Sequence, residues 1–285
     1  MADVHITPTR AAVFIPEVWQ AGFCKGLYDA GVIRKRVMSA DGDVNTKGDI
    51  LHIRIAPQFS VNDVDATTGD VTFQALTPSE SQLTVNQHRE VSFSFLDQTL
   101  KQSDEYLVPC FEEGAPRALA QDIDTKILAL AAALTSTAVD ASAGLVADRL
   151  LEAFVTLAKA KIDMNDVNSI SWVFHWNSYA ALKKEGNIGE YGITGKPNGG
   201  ILEVKIPNVL GIPVYMSNLI YQTGGLDYNM LFHKEAFACG VQSNIKTEKL
   251  ARVALRDDYV TSCLYGVKEI RKATHGVQVK TTTPV

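Results

Sequence analysis

No run of apolar residues in this 285-residue chain is long enough to cross a bilayer. The longest lies near Ile127 to Leu134, far short of the roughly 20 residues that a spanning helix needs. The opening Met1-Ala2-Asp3-Val4-His5-Ile6-Thr7-Pro8 lacks a charged segment followed by an apolar stretch. No secretory signal is read there, and synthesis in the cytoplasm is expected. Cysteine is scarce and scattered: Cys24, Cys110, Cys239 and Cys263 form no CxxC pair. Remote thiols in a chain of this length read as free cysteines in a reducing compartment. Basic charge is not in excess either. Lys and Arg number 27 against 32 Asp and Glu, a net charge of -5. That excludes a dedicated nucleic-acid binder, and no strip of interleaved basic and aromatic residues offers single-stranded nucleic acid a platform.

The motifs of common chemistries are missing as well. No HExxH and no GxSxG occurs. Gly195-Lys196 invites a phosphate-loop reading, but Glu190 stands where that loop needs glycine and Pro197 where it needs Ser or Thr. A carboxylate repels phosphate and proline removes a backbone donor, so the glycine-rich stretch Gly186 to Gly200 reads as a surface loop. His233-Lys234-Glu235 matches half of a zinc-deaminase signature whose PCxxC half is absent. His175 and His233 therefore read as packing residues, and so do Trp19, Trp172 and Trp176. Asp257 and Asp258 are adjacent in an expected strand, so they face opposite sides and share neither metal nor proton. Asp63, Asp65 and Asp70 lack the glutamate and spacing of a calcium loop. No catalytic residue, cofactor or metal ligand is assigned.

What the chain does have is a long, thin hairpin, Gly48 to Asp97. Leu51, Ile53 and Ile55 alternate with polar residues along one limb; Gln82 to Val85 and Val91 to Phe95 alternate along the other. Asn62 to Asp70, rich in turn formers, lies between them. A two-stranded ribbon is marginal in water and needs a surface to lie on. An arm that reaches away from its own core finds that surface on a neighbouring copy, which makes assembly the first functional hypothesis.

Around the hairpin the pattern is mixed. Pro16 and Glu17 open a helix that ends near Gly31, and Val32 to Met38 reads as a short strand followed by an Asp41-Gly42-Asp43 turn. Gln98 to Phe111 is helix-like but broken by Pro109. Ala115-Pro116 opens a stronger helix with Leu119, Ile123, Ile127, Leu130 and Leu134 on one stripe; Asp122, Asp124 and Lys126 lie away from it. Thr135 to Ala147 reads as a loop or domain boundary. Asp148 caps a helix in which Leu150, Phe154 and Leu157 share a face, and Asn177-Ser178 caps another. Ile170 to His175, Gly211 to Met216, Met230 to His233, Val253 to Leu255, Tyr259 to Val267 and Gly276 to Lys280 read as strands. Irregular alternation of helices and strands gives an α+β fold class.

The order of these parts resembles the major capsid proteins of tailed bacteriophages, with the Hong Kong 97 fold. The resemblance rests on Phe14-Ile15-Pro16-Glu17-Val18-Trp19 at the start, the extended hairpin, and the helix Pro116 to Leu134. It rests further on Gly211-Ile212-Pro213-Val214-Tyr215-Met216-Ser217-Asn218 and on a closing pattern. That pattern is His233-Lys234-Glu235-Ala236-Phe237-Ala238, Arg256-Asp257-Asp258 and Tyr265-Gly266-Val267-Lys268. It implies an N-terminal arm and first helix at 1–47, an extended loop at 48–97, a peripheral domain at 98–147 and 239–285, and an axial domain at 148–238. It also implies a non-enzymatic virion protein, made in the host cytoplasm. Copies of it would gather as hexamers and pentamers into an icosahedral shell around double-stranded DNA, with weak non-specific DNA contact and no membrane partner. Phe59, Val61, Val71, Phe73, Leu76, Leu83 and Val85 are the expected subunit-interface residues. Two departures bear on partners. No lysine lies between Gly48 and Asp97, with Lys47 only at the base, so the covalent mesh of some family members is not expected. The chain enters its arm at once, so a separate scaffolding protein is expected, along with a portal. An encapsulin-like cargo shell and a cytoplasmic α+β enzyme remain the alternatives.

Overall fold

A computed structural model describes residues 32–44, 48–57, 59–64, 67–102, 107–136, 139–141, 145–160, 162–164, 166–184, 208–250 and 254–282. In chain order the strands are β1 (Met38–Ser39), β2 (Ile50–Ile55), β3 (Ser79–Thr84), β4 (Gln87–Leu96), β5 (Val139–Ala141), β6 (Ile170–Phe174), β7 (Asn208–Val209), β8 (Ile212–Met216), β9 (Gln222–Thr223), β10 (Leu226–His233), β11 (Phe237–Lys249), β12 (Arg256–Glu269) and β13 (Gly276–Thr282). The helices are α1 (Asp41–Val44), α2 (Asp97–Gln102), α3 (Leu107–Ala129), α4 (Ala147–Lys159) and α5 (Trp176–Lys184). The expected arm and first helix, Trp19, Cys24, Lys47 and the glycine-rich loop fall outside the described residues.

Two sheets and one ribbon organise the chain. The first sheet runs β1-β11-β12-β4, and the second runs β5-β13-β10-β6-β8-β7 with β9 added beside β10. The ribbon is β2 paired antiparallel to β3, from Ile50 opposite Thr84 to Ile55 opposite Ser79.

In the second sheet every residue of β6 is buried. Ile170, Trp172 and Phe174 face a core built with α4, α5 and β8. Val173, on the other face, joins the core under α3. Alternate residues of one strand thus feed two cores, which is why β6 reads as a continuous apolar run. In α4, Leu150 and Leu157 are buried with Phe154 packed against them, as their spacing requires.

α3 is the long element, about 34 Å at 1.5 Å per residue. Its stripe Leu119, Ile123 and Ile127 packs on Cys239, Val241, Cys263 and Tyr265 of β11 and β12. The helix opens at Leu107, not at Ala115-Pro116. Pro109 falls in its first turn, where a missing N–H breaks no helical bond. Asp124 is also not on an outer face: it is 2% exposed. Its carboxylate accepts the backbone N–H groups of Val32 (2.8 Å), Ile33 (3.1 Å) and Arg34 (3.0 Å).

That buried acceptor corrects the expected strand at Val32 to Met38. Ile33–Arg36 form a single 3-10 turn, and only Met38–Ser39 pair as strand. Asp41-Gly42-Asp43 is one turn of helix, α1. Asp148 does not cap α4; Val146 holds the N-cap position and Asp148 lies in the first turn, where its charge suits the helix dipole. At α5 the capping side chain is His175, whose Nδ1 accepts Asn177 N–H at 3.3 Å.

The largest correction concerns the hairpin. Val91 to Phe95 belong to β4, which pairs with β12 from Leu96 opposite Arg256 to Gln87 opposite Tyr265. Alternation identified the strand but not its partner. β5 and β13, within the ranges expected for the peripheral unit, pair into the sheet that contains β6, β8 and β10.

Candidate subunit interface

The ribbon is locked at its root and uncovered along its length. At the root, Leu83 and Val85 join Ala40, Val44 and Ala238 in a small core, with Leu51, Ile53, Leu264 and Ile270 against it. Two glycines make room. Gly240 on β11 and Gly266 on β12 lie opposite each other. A Cβ at Gly240 would stand 2.9 Å from Val44 Cγ2 and 3.1 Å from Leu83 Cδ2; one at Gly266 would stand 2.3 Å from the Thr84 carbonyl oxygen. Glycine there lets a second backbone lie flat across the sheet. Val85 N–H donates to Asp49 O at 2.8 Å, and Gln242 Nε2 donates to Gly48 O at 2.9 Å, closing the base.

Beyond the root, the apolar side chains of this segment stand largely exposed among the described residues. Phe59 is 78% exposed, Val61 99% and Phe73 91%, with Val71 and Leu76 exposed beside them. The two limbs are tied to each other: Ser60 N–H donates to Gln74 Oε1 at 3.1 Å, and Gln74 Nε2 donates back to Ser60 O. Phe59 and Val61 flank Ser60 in sequence, and Phe73 precedes Gln74. Covering any one such side chain is worth about 1.5–3 kcal/mol. Five of the seven expected interface residues are thus exposed in the single chain. Leu83 and Val85 are not: their own chain buries them, at 0% and 8% exposure. Alternation showed that these two are apolar and inward but could not say whose core they enter.

The polar candidates resolve separately. His175 is structural. Its Nδ1 lies 3.3 Å from Asp227 Oδ2, and its backbone N–H donates to Asn229 Oδ1 at 2.8 Å. Asn229 Nδ2 in turn donates to the hydroxyls of Ser178 and Thr281. Asp257 pairs with Lys249 and Asp258 with Arg256, so the two carboxylates do act apart. Trp172 is buried and stacks on Phe174, whereas Trp176 is half exposed. His233 is the surprise: it lies with Glu235 beside His275, a residue the sequence reading did not single out. Burial holds both imidazoles below the usual histidine range, His275 at about 4.

Cys239 and Cys263 are free and buried. Burial pushes the Cys239 thiol up to about 11 and raises that of Cys263. Only the thiolate alkylates, so at pH 8 Cys239 in the folded protein should react about a hundredfold more slowly with iodoacetamide than in urea. Peptide mass spectrometry of protein alkylated folded and unfolded checks this, and equal labelling would contradict the buried placement.

No protein-family model matches the chain, and no curated protein matches it. Solved structures do. That of Mycobacterium phage Che8 is 24% identical, with a TM-score of 0.72 over 93% of this chain and 97% of the other. The asymmetric unit of the bacteriophage PhiM1 mature capsid is 14% identical, with a TM-score of 0.73 over 100% and 98%. The capsid of an empty GTA particle is 10% identical, with a TM-score of 0.72 over 99% and 100%. The chain has the phage major-capsid fold.

Proposed function

We propose that this chain is a major capsid protein, a structural rather than catalytic component whose copies close into an icosahedral shell around double-stranded DNA. The observation that carries the reading is the ribbon. Its root is fixed in its own core, while Phe59, Val61, Val71, Phe73 and Leu76 stand in solvent. An arm with an apolar far end needs a complementary surface on a second copy, and repeated identical contacts close into symmetric particles. Many such contacts made together give a durable shell from individually modest ones. Solved structures titled as capsids, matching nearly end to end, support this over a cargo compartment and over an enzyme.

In this reading the β6-β8-β10 sheet with α4 and α5 forms the axial unit at five-fold and six-fold positions. α3 with β11, β12 and β4 forms the peripheral unit. A separate scaffolding protein and a portal are the partners, and packaged DNA is touched weakly by many copies, consistent with a net charge of -5 on each. The product is a virion component made in the host cytoplasm.

The double variant Phe59→Asp, Phe73→Asp tests it. Both side chains are free in the single chain, so its thermal midpoint should move little. Assembly with the scaffold should be lost, with sedimentation showing small species where the unaltered protein gives MDa particles. Particles of normal yield from the variant would refute the proposal, as would an unaltered protein that stays monomeric at high concentration with its scaffold present.

A further inference from the structure

The corner between the end of β10 and the start of β13 gathers three electron-pair donors that lie far apart in sequence. His233 closes β10, Glu235 sits in the 3-10 turn Lys234–Ala236, and His275 immediately precedes β13. Backbone bonds fix their placement. His233 N–H donates to His275 O at 2.8 Å, and Lys234 N–H donates to Ser169 O at 2.7 Å. The two imidazole rings stand 5.4 Å apart between centroids. One donor atom from each of His233, Glu235 and His275 lies within 4.8 Å of the other two, and all three residues are partly exposed.

The surroundings orient these groups. His275 Nδ1 is 2.7 Å from Thr274 Oγ1, and with the proton on Nδ1 donated there the Nε2 lone pair faces the corner. A second contact of this kind fixes the tautomer of metal-binding histidines in general. His233 Nδ1 accepts the Glu235 N–H at 3.2 Å, a long bond that opens when a ring nitrogen turns its lone pair to an ion. A cation already visits the place where the donors converge: Arg271 Nη1 lies 3.1 Å from His275 Nε2 and 3.3 Å from Glu235 Oε2. With the side chains of Arg271 and Glu235 34% and 47% exposed, this is a solvent-screened pair worth little. Two imidazoles and one carboxylate are, by contrast, a donor set suited to first-row divalent ions.

We propose that His233, Glu235 and His275 bind a divalent transition-metal ion, zinc best by ligand type, with the Arg271 guanidinium displaced as the ion enters. The ion would clamp the end of β10 to the start of β13. This site is independent of the ribbon contact, and its test does not require assembly.

Zinc chloride is titrated into the unassembled full chain by calorimetry, with the thermal midpoint read in parallel. The unaltered protein should bind one equivalent and its midpoint should rise. His275→Ala and Glu235→Gln should each weaken binding by about tenfold or more and remove the rise. Arg271→Ala, which removes the competing cation, should bind several-fold more tightly. If His275→Ala fails to fold, His233→Gln takes its place. Equal binding by all variants would mean adventitious zinc elsewhere and would overturn the proposal. So would no binding by both the unaltered protein and Arg271→Ala, which would leave the corner an arginine-bridged cluster only.

Discussion

Asp124→Ala should lower the unfolding free energy by about 3–5 kcal/mol, the range for breaking a buried charged network. The Asp124 carboxylate sits about three-quarters of the way along α3 and accepts three successive backbone N–H groups, those of Val32, Ile33 and Arg34. Those groups open a 3-10 turn that has no side-chain cap of its own. The first N–H groups of any helical turn need an acceptor from outside it, and here the acceptor comes from some ninety residues along the chain. Hydrogen bonds to a charged acceptor are worth about 1.5–3 kcal/mol each, and stranding buried donors adds the cost of their desolvation. Asp124→Asn separates the two contributions. It keeps one carbonyl acceptor but turns an NH2 donor toward the backbone donors, so about half the loss should remain. Urea denaturation of the unassembled protein measures both variants. A loss below about 1 kcal/mol for alanine would show that the turn does not depend on this side chain.

Asp124 also marks the limit of what the sequence discloses. The stripe Leu119, Ile123 and Ile127 is legible because helical period and burial are both local properties, and β6 is legible because its five residues are all apolar or small. Asp124 is adjacent to that stripe and charged, so its spacing reads as a solvent-facing position. Only its partners, remote in sequence, reveal it as buried. The same reason hides the partner of β4: alternation at Val91 to Phe95 defines a strand, and its pairing with Asp257 to Thr261 depends on tertiary structure. β11 is not legible as a strand because its second half, Gln242 to Lys249, is mostly polar and exposed. The ribbon was legible as a ribbon, and its exposed half as an interface candidate. The division between its buried root and its free length was not, because Leu83 and Phe73 are equally apolar and differ only in what lies beneath them. The His233–His275 corner belongs to this class too, since a donor set assembled by two strand ends has no local spacing.

The second large effect is expected at Gly266, where alanine should cost about 3 kcal/mol, the upper part of the range for an inserted methyl group. Its Cβ would meet the Thr84 carbonyl oxygen at 2.3 Å and both Thr84 C and Val85 Cα at 3.0 Å. These are backbone atoms, so no rotamer change relieves the clash, and the end of β3 has to lift from β12. Gly240→Ala, directly opposite, supplies the control. Its three nearest contacts are side-chain carbons, Val44 Cγ2 at 2.9 Å, Leu83 Cδ2 at 3.1 Å and Ala40 Cβ at 3.5 Å. Those can give by a few tenths of an ångström, and replacing a strand glycine returns about 0.5–1 kcal/mol of backbone entropy, so the net cost should stay at about 1 kcal/mol, well below that at Gly266. The functional consequence follows from geometry. Lifting β3 uncovers Leu83 and Val85 and changes the angle at which Phe59, Val61 and Phe73 are presented. Gly266→Ala should then lose assembly at temperatures where the body stays folded, with amide exchange rising first around residues 83–85. If Gly266→Ala assembles normally and matches Gly240→Ala in stability, the sheet does not set the direction of the ribbon, and the contact between copies tolerates a loose arm.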